Sequence, residues 1–541
     1  MAGKLRGFEA GLIAGATALF FSFLLRVFAG GVFTPELAAQ TLFSLIPGEI
    51  ESQAVETLGS LAKYFAFVGA TIVNLALYGV LGALLHRLYE RLAGKGYLTK
   101  ALPLSLLAYS VLLIAAIMLM ETTEVLTQPT SIQSLALYLL PPHIAFGFTL
   151  SSLYSSEAPR PELISEKALY PQERRKIDHR RRLIIRAGAA GAVASTILFY
   201  GVDLLFPKST KLASEPAKPP TALTGIFADP SLAAFVPSEV TPNDLFYRVD
   251  VNVATPLVDV NAWKLTVKGL VDSHLVLTYE ELTSLPAVEQ YSTLECVSNK
   301  IGFDLISTAL WKGVRLKDIL EKVLVKAEAT YIVFRCFDGY DVGIPLERGL
   351  LDGTILAYEM NGVPLPAEHG YPLRAIVPGI YGMMNAKWIT EIELVDKVHL
   401  GFWQRRGWSN TAEYQIHSMI AMPGDNPLRK RFRGLASSKV SLGGKVPVAG
   451  IAFAGDRGIS KVEISSDGGQ TWETASIKDP LSEHTWVLWA AEWNPPAKGE
   501  YKIAVRATDK TGKVQIAELH DTFPNGSTGY HVIDVKVEAP T

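Results

Sequence analysis

Five apolar stretches, near residues 9–31, 61–85, 101–120, 132–154 and 183–206, dominate the first 206 residues of this 541-residue chain. Each is long enough to cross about 30 Å of hydrocarbon as a helix. This constrains the fold strongly, because backbone polar groups in lipid must be satisfied within the segment itself, which an α-helix does. The chain is 49% hydrophobic with 19% charged residues, and the apolar excess sits in this N-terminal part. A membrane region of five spans followed by a soluble part is therefore expected.

The flanking charges give an orientation. Lys4 and Arg6 precede the first stretch; Arg87, Arg91, Lys95 and Lys100 lie between the second and third; Arg174, Arg175, Lys176, Arg180, Arg181 and Arg182 precede the fifth. The alternate loops carry Glu36, Glu49, Glu51 and Glu56, then Glu121 and Glu124. The positive-inside rule puts the N-terminus in the cytoplasm, and an odd number of spans puts everything after Leu205 in the periplasm or cell exterior. Arg181-Arg-Leu-Ile-Ile-Arg186 ahead of a mild apolar run also matches a twin-arginine export signal. That reading makes the fifth span an uncleaved signal anchor; the alternative is an ordinary basic stop at the membrane face. The spans offer only His86 and His143, at different depths, so no haem site is expected. His143 and Asn74 read better as helix–helix hydrogen-bonding groups than as a functional pair.

A net charge of −2 gives no basic field and no case for nucleic acid. With two cysteines, Cys296 and Cys336, there is no disulfide framework, and no iron–sulfur cluster can be assembled. A single bridge between them would conflict with metal ligation by either. Residues 207–224 have the Pro, Ser, Ala and Lys content of a linker. Beyond it, β-rich runs such as Trp263-Lys-Leu-Thr-Val-Lys-Gly269 alternate with turns, and Leu316–Val323 has helical spacing, which suggests a mixed α+β domain. From about residue 425 onward, period-two runs between Gly, Asp and Pro turns predict an all-β sandwich, with Ser466-Asp-Gly-Gly-Gln-Thr-Trp472 as a tight turn into a buried Trp. Taken alone, Cys296 is a small buried hydrophobe; a thiolate is also a soft metal ligand.

The text around Cys296 decides between these. Residues 291–320, YSTLECVSNKIGFDLISTALWKGVRLKDIL, and 354–388, TILAYEMNGVPLPAEHGYPLRAIVPGIYGMMNAKW, closely resemble the molybdopterin domain of the sulfite oxidase family. The resemblance runs from about Thr241 to the C-terminus and implies a molybdenum–molybdopterin cofactor with Cys296 as the one protein sulfur on the metal. It implies that Tyr340, ahead of Ile344-Pro345, stands beside the metal, and that Asn299 orders the ligand loop. Tyr247, Arg248, His369, Arg374, Asn385 and Lys387 match family positions that contact the pterin or its phosphate. Such a phosphate needs cationic and backbone N–H partners. The expected plan is a transmembrane region over 1–206, a linker over 207–224, a molybdopterin domain over 225–400 and an immunoglobulin-like, dimerisation-type domain over 425–541. A cofactor loaded in the cytoplasm strengthens the twin-arginine reading.

The chain departs from sulfite-oxidising members, which carry arginines where Lys300 and Ile301 stand, and a further arginine near Asn525–His531. Forked guanidinium groups suit a dianion, so fewer of them favour a neutral or singly charged oxo substrate such as a sulfoxide or N-oxide. Sulfite oxidation is the alternative; a non-catalytic membrane binding or assembly protein retaining the fold is the alternative of another class. A transporter is disfavoured by the near absence of charge within the spans. Electrons would pass to or from a cytochrome or a quinone-linked membrane protein, and a homodimer is an expectation.

Overall fold

The computed structural model describes residues 2–47, 49–50, 61–92, 94–122, 132–155, 227, 238–252, 255–424 and 439–539. The expected fifth span, the Arg181-Arg182 signal and the linker lie outside the described residues. The chain divides into two compact units, an N-terminal helical one and a C-terminal β-rich one.

The helical unit contains α1 (Ala2–Ala29), α2 (Thr34–Leu45), α3 (Leu61–Arg91), α4 (Tyr97–Thr122) and α5 (Ile132–Ser155). Among the described residues, four helices are long and apolar enough to cross a membrane. The short α2 is an element that span-length reasoning does not resolve. Helices α1 and α3 meet through glycines: a Cβ on Gly11 would lie 2.9 Å from the Gly82 Cα, so the backbones come as close as small residues allow. His143 contacts Tyr78 of α3 through Nε2 at 3.1 Å, and its Nδ1 lies 2.5 Å from the Leu139 carbonyl oxygen. Asn74 donates to Ala70 of its own helix. Arg26 is buried against Glu36 of α2, with Nε 2.9 Å from Oε2.

In the C-terminal unit, two sheets carry the region that includes Cys296. One has the order β2-β1-β10-β5-β6, from β1 (Lys264–Gly269), β2 (Leu275–Thr278), β5 (Tyr331–Cys336), β6 (Asp341–Pro345) and β10 (Ile389–Val395). The other has the order β3-β4-β7-β8, from β3 (Val288–Glu295), β4 (Ile306–Arg315), β7 (Ile355–Met360) and β8 (Val363–Pro364), with β9 (Arg374–Ile376) paired to β7. The helix α6 (Leu316–Val323) buries Leu316, Ile319, Leu320 and Val323, the i, i+3, i+4, i+7 stripe its spacing predicts.

The remaining strands are β11 (His417–Met422), β12 (Lys439–Ser441), β13 (Val446–Phe453), β14 (Ile459–Ser465), β15 (Glu473–Thr474), β16 (Ser476–Ile477), β17 (Val487–Trp493), β18 (Gly499–Asp509) and β19 (His531–Glu538). They form two sheets, β11-β13-β17-β16 and β12-β19-β18-β14-β15. Residues of both, including Val448 and Trp489 on one and Val462 and Val505 on the other, share one apolar core. Trp472, expected to be buried, is only half-buried: its indole N–H donates to Gly469 and the Arg506 guanidinium lies over its ring at 4.2 Å.

The β11–β19 region is bound tightly to β3. Ser482 Oγ donates to the Tyr291 carbonyl at 2.6 Å, and the Trp486 N–H donates to Thr293 Oγ1 at 2.9 Å. A buried ion pair joins Lys478 Nζ to Glu239 Oε1 at 2.6 Å. Removing one partner of such a pair leaves a buried charge uncompensated and costs about 3–5 kcal/mol, whereas replacing both by apolar groups is close to neutral. Lys478→Met is therefore expected to lower the thermal unfolding temperature sharply, and Glu239→Leu/Lys478→Met to recover most of the loss; scanning tryptophan fluorescence of both variants checks this.

Candidate functional site

Cys296 follows directly on β3, at the start of the loop that joins β3 to β4. The Glu295–Ile306 pair closes the ladder, and the Cys296 N–H donates to the Leu305 carbonyl at 2.9 Å. Asn299 braces this loop from inside: its amide donates to Glu295 Oε1 at 2.9 Å and its carbonyl accepts from the Leu305 N–H at 2.9 Å. The thiol is buried, and burial raises its pKa; the Ser298 hydroxyl, 3.0 Å from Sγ, opposes the shift, and the Glu295 carboxylate adds to it. An unliganded thiol held this way keeps its proton, and a thiophilic metal would displace it. Cys336 is also a free, buried thiol.

Tyr340 lies in the β5–β6 turn, where Gly339 takes a φ of +83° that a side chain would oppose. Its hydroxyl donates to the Met383 carbonyl at 2.7 Å. Met383 sits in a 3-10 turn, Gly382–Met384, which also receives Tyr247: a Cβ on Gly382 would lie 2.5 Å from the Tyr247 hydroxyl and 3.2 Å from the Glu295 carbonyl. Gly382 thus lets the turn, the N-terminal arm and the end of β3 meet. Burial pushes the phenols of Tyr247 and Tyr340 well above their ordinary value, with smaller contributions from the Cys296 thiol at Tyr247 and from Cys336 and the Asp341 and Asp338 carboxylates at Tyr340, so both stay protonated. Tyr381 and Tyr414 behave alike.

Arg374 on β9 is buried, its guanidinium stacked over Trp311 at 4.8 Å. Nη1 donates to the His369 carbonyl at 3.1 Å, while Nε has no partner among the described residues. Burial lowers its pKa to about 10. Gly370, with φ +113°, lies where a Cβ would meet the Lys387 and Arg374 Cβ atoms at 3.0 and 3.1 Å. A buried cation with an orphaned donor beside a glycine cradle fits an anionic group such as the phosphate of a pterin. Lys387 reaches the Glu368 carbonyl at 3.1 Å and shares the buried Asp250 carboxylate with Arg248, at 3.2 and 2.9 Å. His369 donates through Nε2 to the Asn243 carbonyl at 2.9 Å; burial, with the nearby cations Arg374, Lys387 and Arg248, lowers its pKa to about 3, so it is neutral.

Asn385 plays a different part from these. Its side chain accepts from the Val377 N–H at 2.6 Å and donates to the carbonyls of Ile380 and Tyr381, so it shapes the 377–385 turn instead of presenting a free amide. Two buried residues that motif reading leaves out also belong here. Glu295 stands inside the quoted motif, beside Cys296. His417, whose Nδ1 is 2.9 Å from Glu295 Oε1, comes from β11 and has no local sequence signal.

Behind Tyr340, Asp341 is gripped by a forked Arg405, with Nη1–Oδ2 at 3.0 Å and Nη2–Oδ1 at 2.9 Å, and by His399 Nε2 at 2.6 Å. Burial alone would raise the Asp341 carboxyl, but these hydrogen bonds outweigh it and hold its pKa at about 2, below the ordinary 3.8. The clamp's contribution is fully present above about pH 4 and is lost as pH falls through about 2. Asp341→Asn is expected to lower stability at neutral pH by roughly 2 kcal/mol and to flatten the fall in stability between pH 5 and 2.5. Thermal unfolding of parent and variant across that range checks both.

Comparison with known proteins identifies the surroundings of this site. The molybdopterin-binding domain of oxidoreductases matches residues 252–403, and the dimerisation domain of molybdenum-cofactor oxidoreductases matches residues 409–536. Sulfite oxidase of Arabidopsis thaliana is 30% identical over 341 residues, covering 53% of this chain and 85% of that protein. An uncharacterised oxidoreductase of Bacillus subtilis (strain 168), YuiH, is 38% identical over 150 residues, covering 28% of this chain and 74% of that protein. Mitochondrial sulfite oxidase of Macaca fascicularis is 30% identical over 328 residues, covering 53% of this chain but 59% of that protein. The chain therefore spans less than two thirds of the length of the mammalian relatives it matches.

Proposed function

Because this chain belongs to the sulfite oxidase family of molybdopterin-dependent oxidoreductases, we propose that it is a membrane-anchored enzyme transferring an oxygen atom to or from a small oxo substrate outside the cytoplasm. One observation carries the reading. The buried Cys296 thiol and the buried Arg374 guanidinium, whose Nε has no partner among the described residues, lie in the same matched domain. The first suits molybdenum and the second suits the phosphate of the pterin that carries it.

In this proposal Cys296 ligates the metal and Asn299 keeps its loop closed. Arg374 and Lys387 hold the phosphate, with Tyr247, Arg248 and His369 around the pterin and Asn385 shaping the turn beneath it. When bound, the cofactor supplies two-electron oxo chemistry that side chains lack. Tyr340 stays a neutral phenol, able to donate a hydrogen bond to substrate once it leaves the Met383 carbonyl, and to pass a proton. The span topology, with its N-terminus in the cytoplasm, tethers residues 225–400 and an immunoglobulin-like dimerisation sandwich over 425–541 to the outer face. Electrons go to or from a cytochrome or a quinone-linked membrane protein.

Two substrate classes follow from different observations. A sulfoxide or N-oxide is favoured by charge. Lys300 Nζ lies 3.5 Å from Asp521, Ile301 is apolar, and His531 is held neutral, its pKa lowered to about 4 by burial and by His417. Sulfite is favoured by the relatives, several of which are sulfite oxidases. Steady-state kcat/KM for dimethyl sulfoxide and trimethylamine N-oxide with a reduced viologen, against sulfite with ferricyanide, separates them. The charge argument predicts the larger value for a sulfoxide or N-oxide; dominant sulfite turnover would reverse the assignment.

A further inference from the structure

The loop that carries Cys296 is gripped from the β11–β19 region as well as from its own strands. His417 of β11 places Nδ1 2.9 Å from Glu295 Oε1, the oxygen that also accepts from Asn299. Ser527 donates to the Asn299 carbonyl at 2.7 Å. His531 of β19 packs on Gly302, where a Cβ would lie 2.6 Å from its Nε2, and its Nδ1 is fixed by the Ile420 N–H at 2.9 Å. Glu295 and His417 are both nearly inaccessible to solvent, at 2% and 3% exposure. Each keeps one atom, Oε2 and Nε2, without a partner among the described residues.

Loop closure needs Asn299, the backbone and an acceptor oxygen on the side chain at position 295. It does not need a carboxylate at position 295, where an amide would accept the same two hydrogen bonds. A buried acid with a buried imidazole behind it costs desolvation that a neutral pair avoids. Its effect therefore lies in the field it sets up. The negative end of the pair belongs to the residue next to Cys296, and the imidazole is held on the far side by a strand of another sheet.

We propose that Glu295 and His417 are positioning residues for the metal site: together with Ser527 they fix the Cys296 loop, and the Glu295 carboxylate sets the electron affinity of the bound molybdenum. The β11–β19 region, which matches a dimerisation domain, thus completes the metal site. This rests on the assignment of Cys296 as the molybdenum ligand. A negative group beside the ligand disfavours adding an electron to the metal, so neutralising it shifts the midpoint potential upward.

The test uses full-length protein purified in detergent, with parent, Glu295→Gln, His417→Leu and His417→Asn compared. The readouts are molybdenum content, the Mo(V) electron paramagnetic resonance spectrum and the Mo(VI)/Mo(V) midpoint potential. Glu295→Gln keeps the hydrogen-bond acceptor and is expected to retain the metal, with a raised potential and altered g-values. His417→Leu is expected to lose metal, and His417→Asn, whose amide can replace the Nδ1 donor, to restore it. A parent without molybdenum defeats the ligand assignment itself. A loaded parent with Glu295→Gln unchanged in spectrum and potential overturns this inference alone. Should His417→Leu fail to fold, Glu295→Gln decides.

Discussion

The candidate site depends on the two hydrogen bonds that Asn299 makes across the loop after β3. One reaches back to Glu295 and the other forward to Leu305, so the side chain ties the last residue of one strand to the residue just before the next. Cys296 is held between them with its own N–H used in the same closure. Leaving one buried partner of such a bond unsatisfied costs about 1–3 kcal/mol, enough to let the loop adopt other geometries. The thiol would then lose the fixed direction that a metal ligand requires.

Around that loop the chemistry is mostly neutral. Four phenols, the half-buried Tyr247 and Tyr340 and the buried Tyr381 and Tyr414, are held protonated, and His369 and His531 are held unprotonated. Against this background the Arg374 guanidinium stands out as a buried cation with a donor to spare. A low-dielectric site magnifies that charge, so a phosphate beside it is held more firmly than at a wet surface.

Much of this was legible in the chain, and for local reasons. Four helices match apolar stretches because a span is written in one continuous segment, whereas α2 is too short to announce itself that way. The Leu316–Val323 stripe is visible because helical burial repeats within a few residues. Cys296, Tyr340 and Arg374 stand in long ordered motifs, so family resemblance named them. What pairs with them could not be read. His417 reaches Glu295 only because β11 runs past the end of β3, and Asp250, beside Arg248 in the chain, meets Lys387 from a segment far along it. Asn385 shows the opposite limit: the motif marks the residue, but only the fold reveals that its amide is spent on the backbone of its own turn.

The proposed function rests on one molybdenum per chain, held by Cys296. It is tested most directly by elemental analysis and pterin quantification on purified full-length protein and on Cys296→Ala, both made in a host that synthesises the cofactor. The expected result is about one molybdenum per parent chain, and a variant that has lost the metal or its thiolate spectral signature. A parent that folds yet binds neither metal nor pterin would show that the family fold is kept here without its chemistry, and the catalytic assignment would fall.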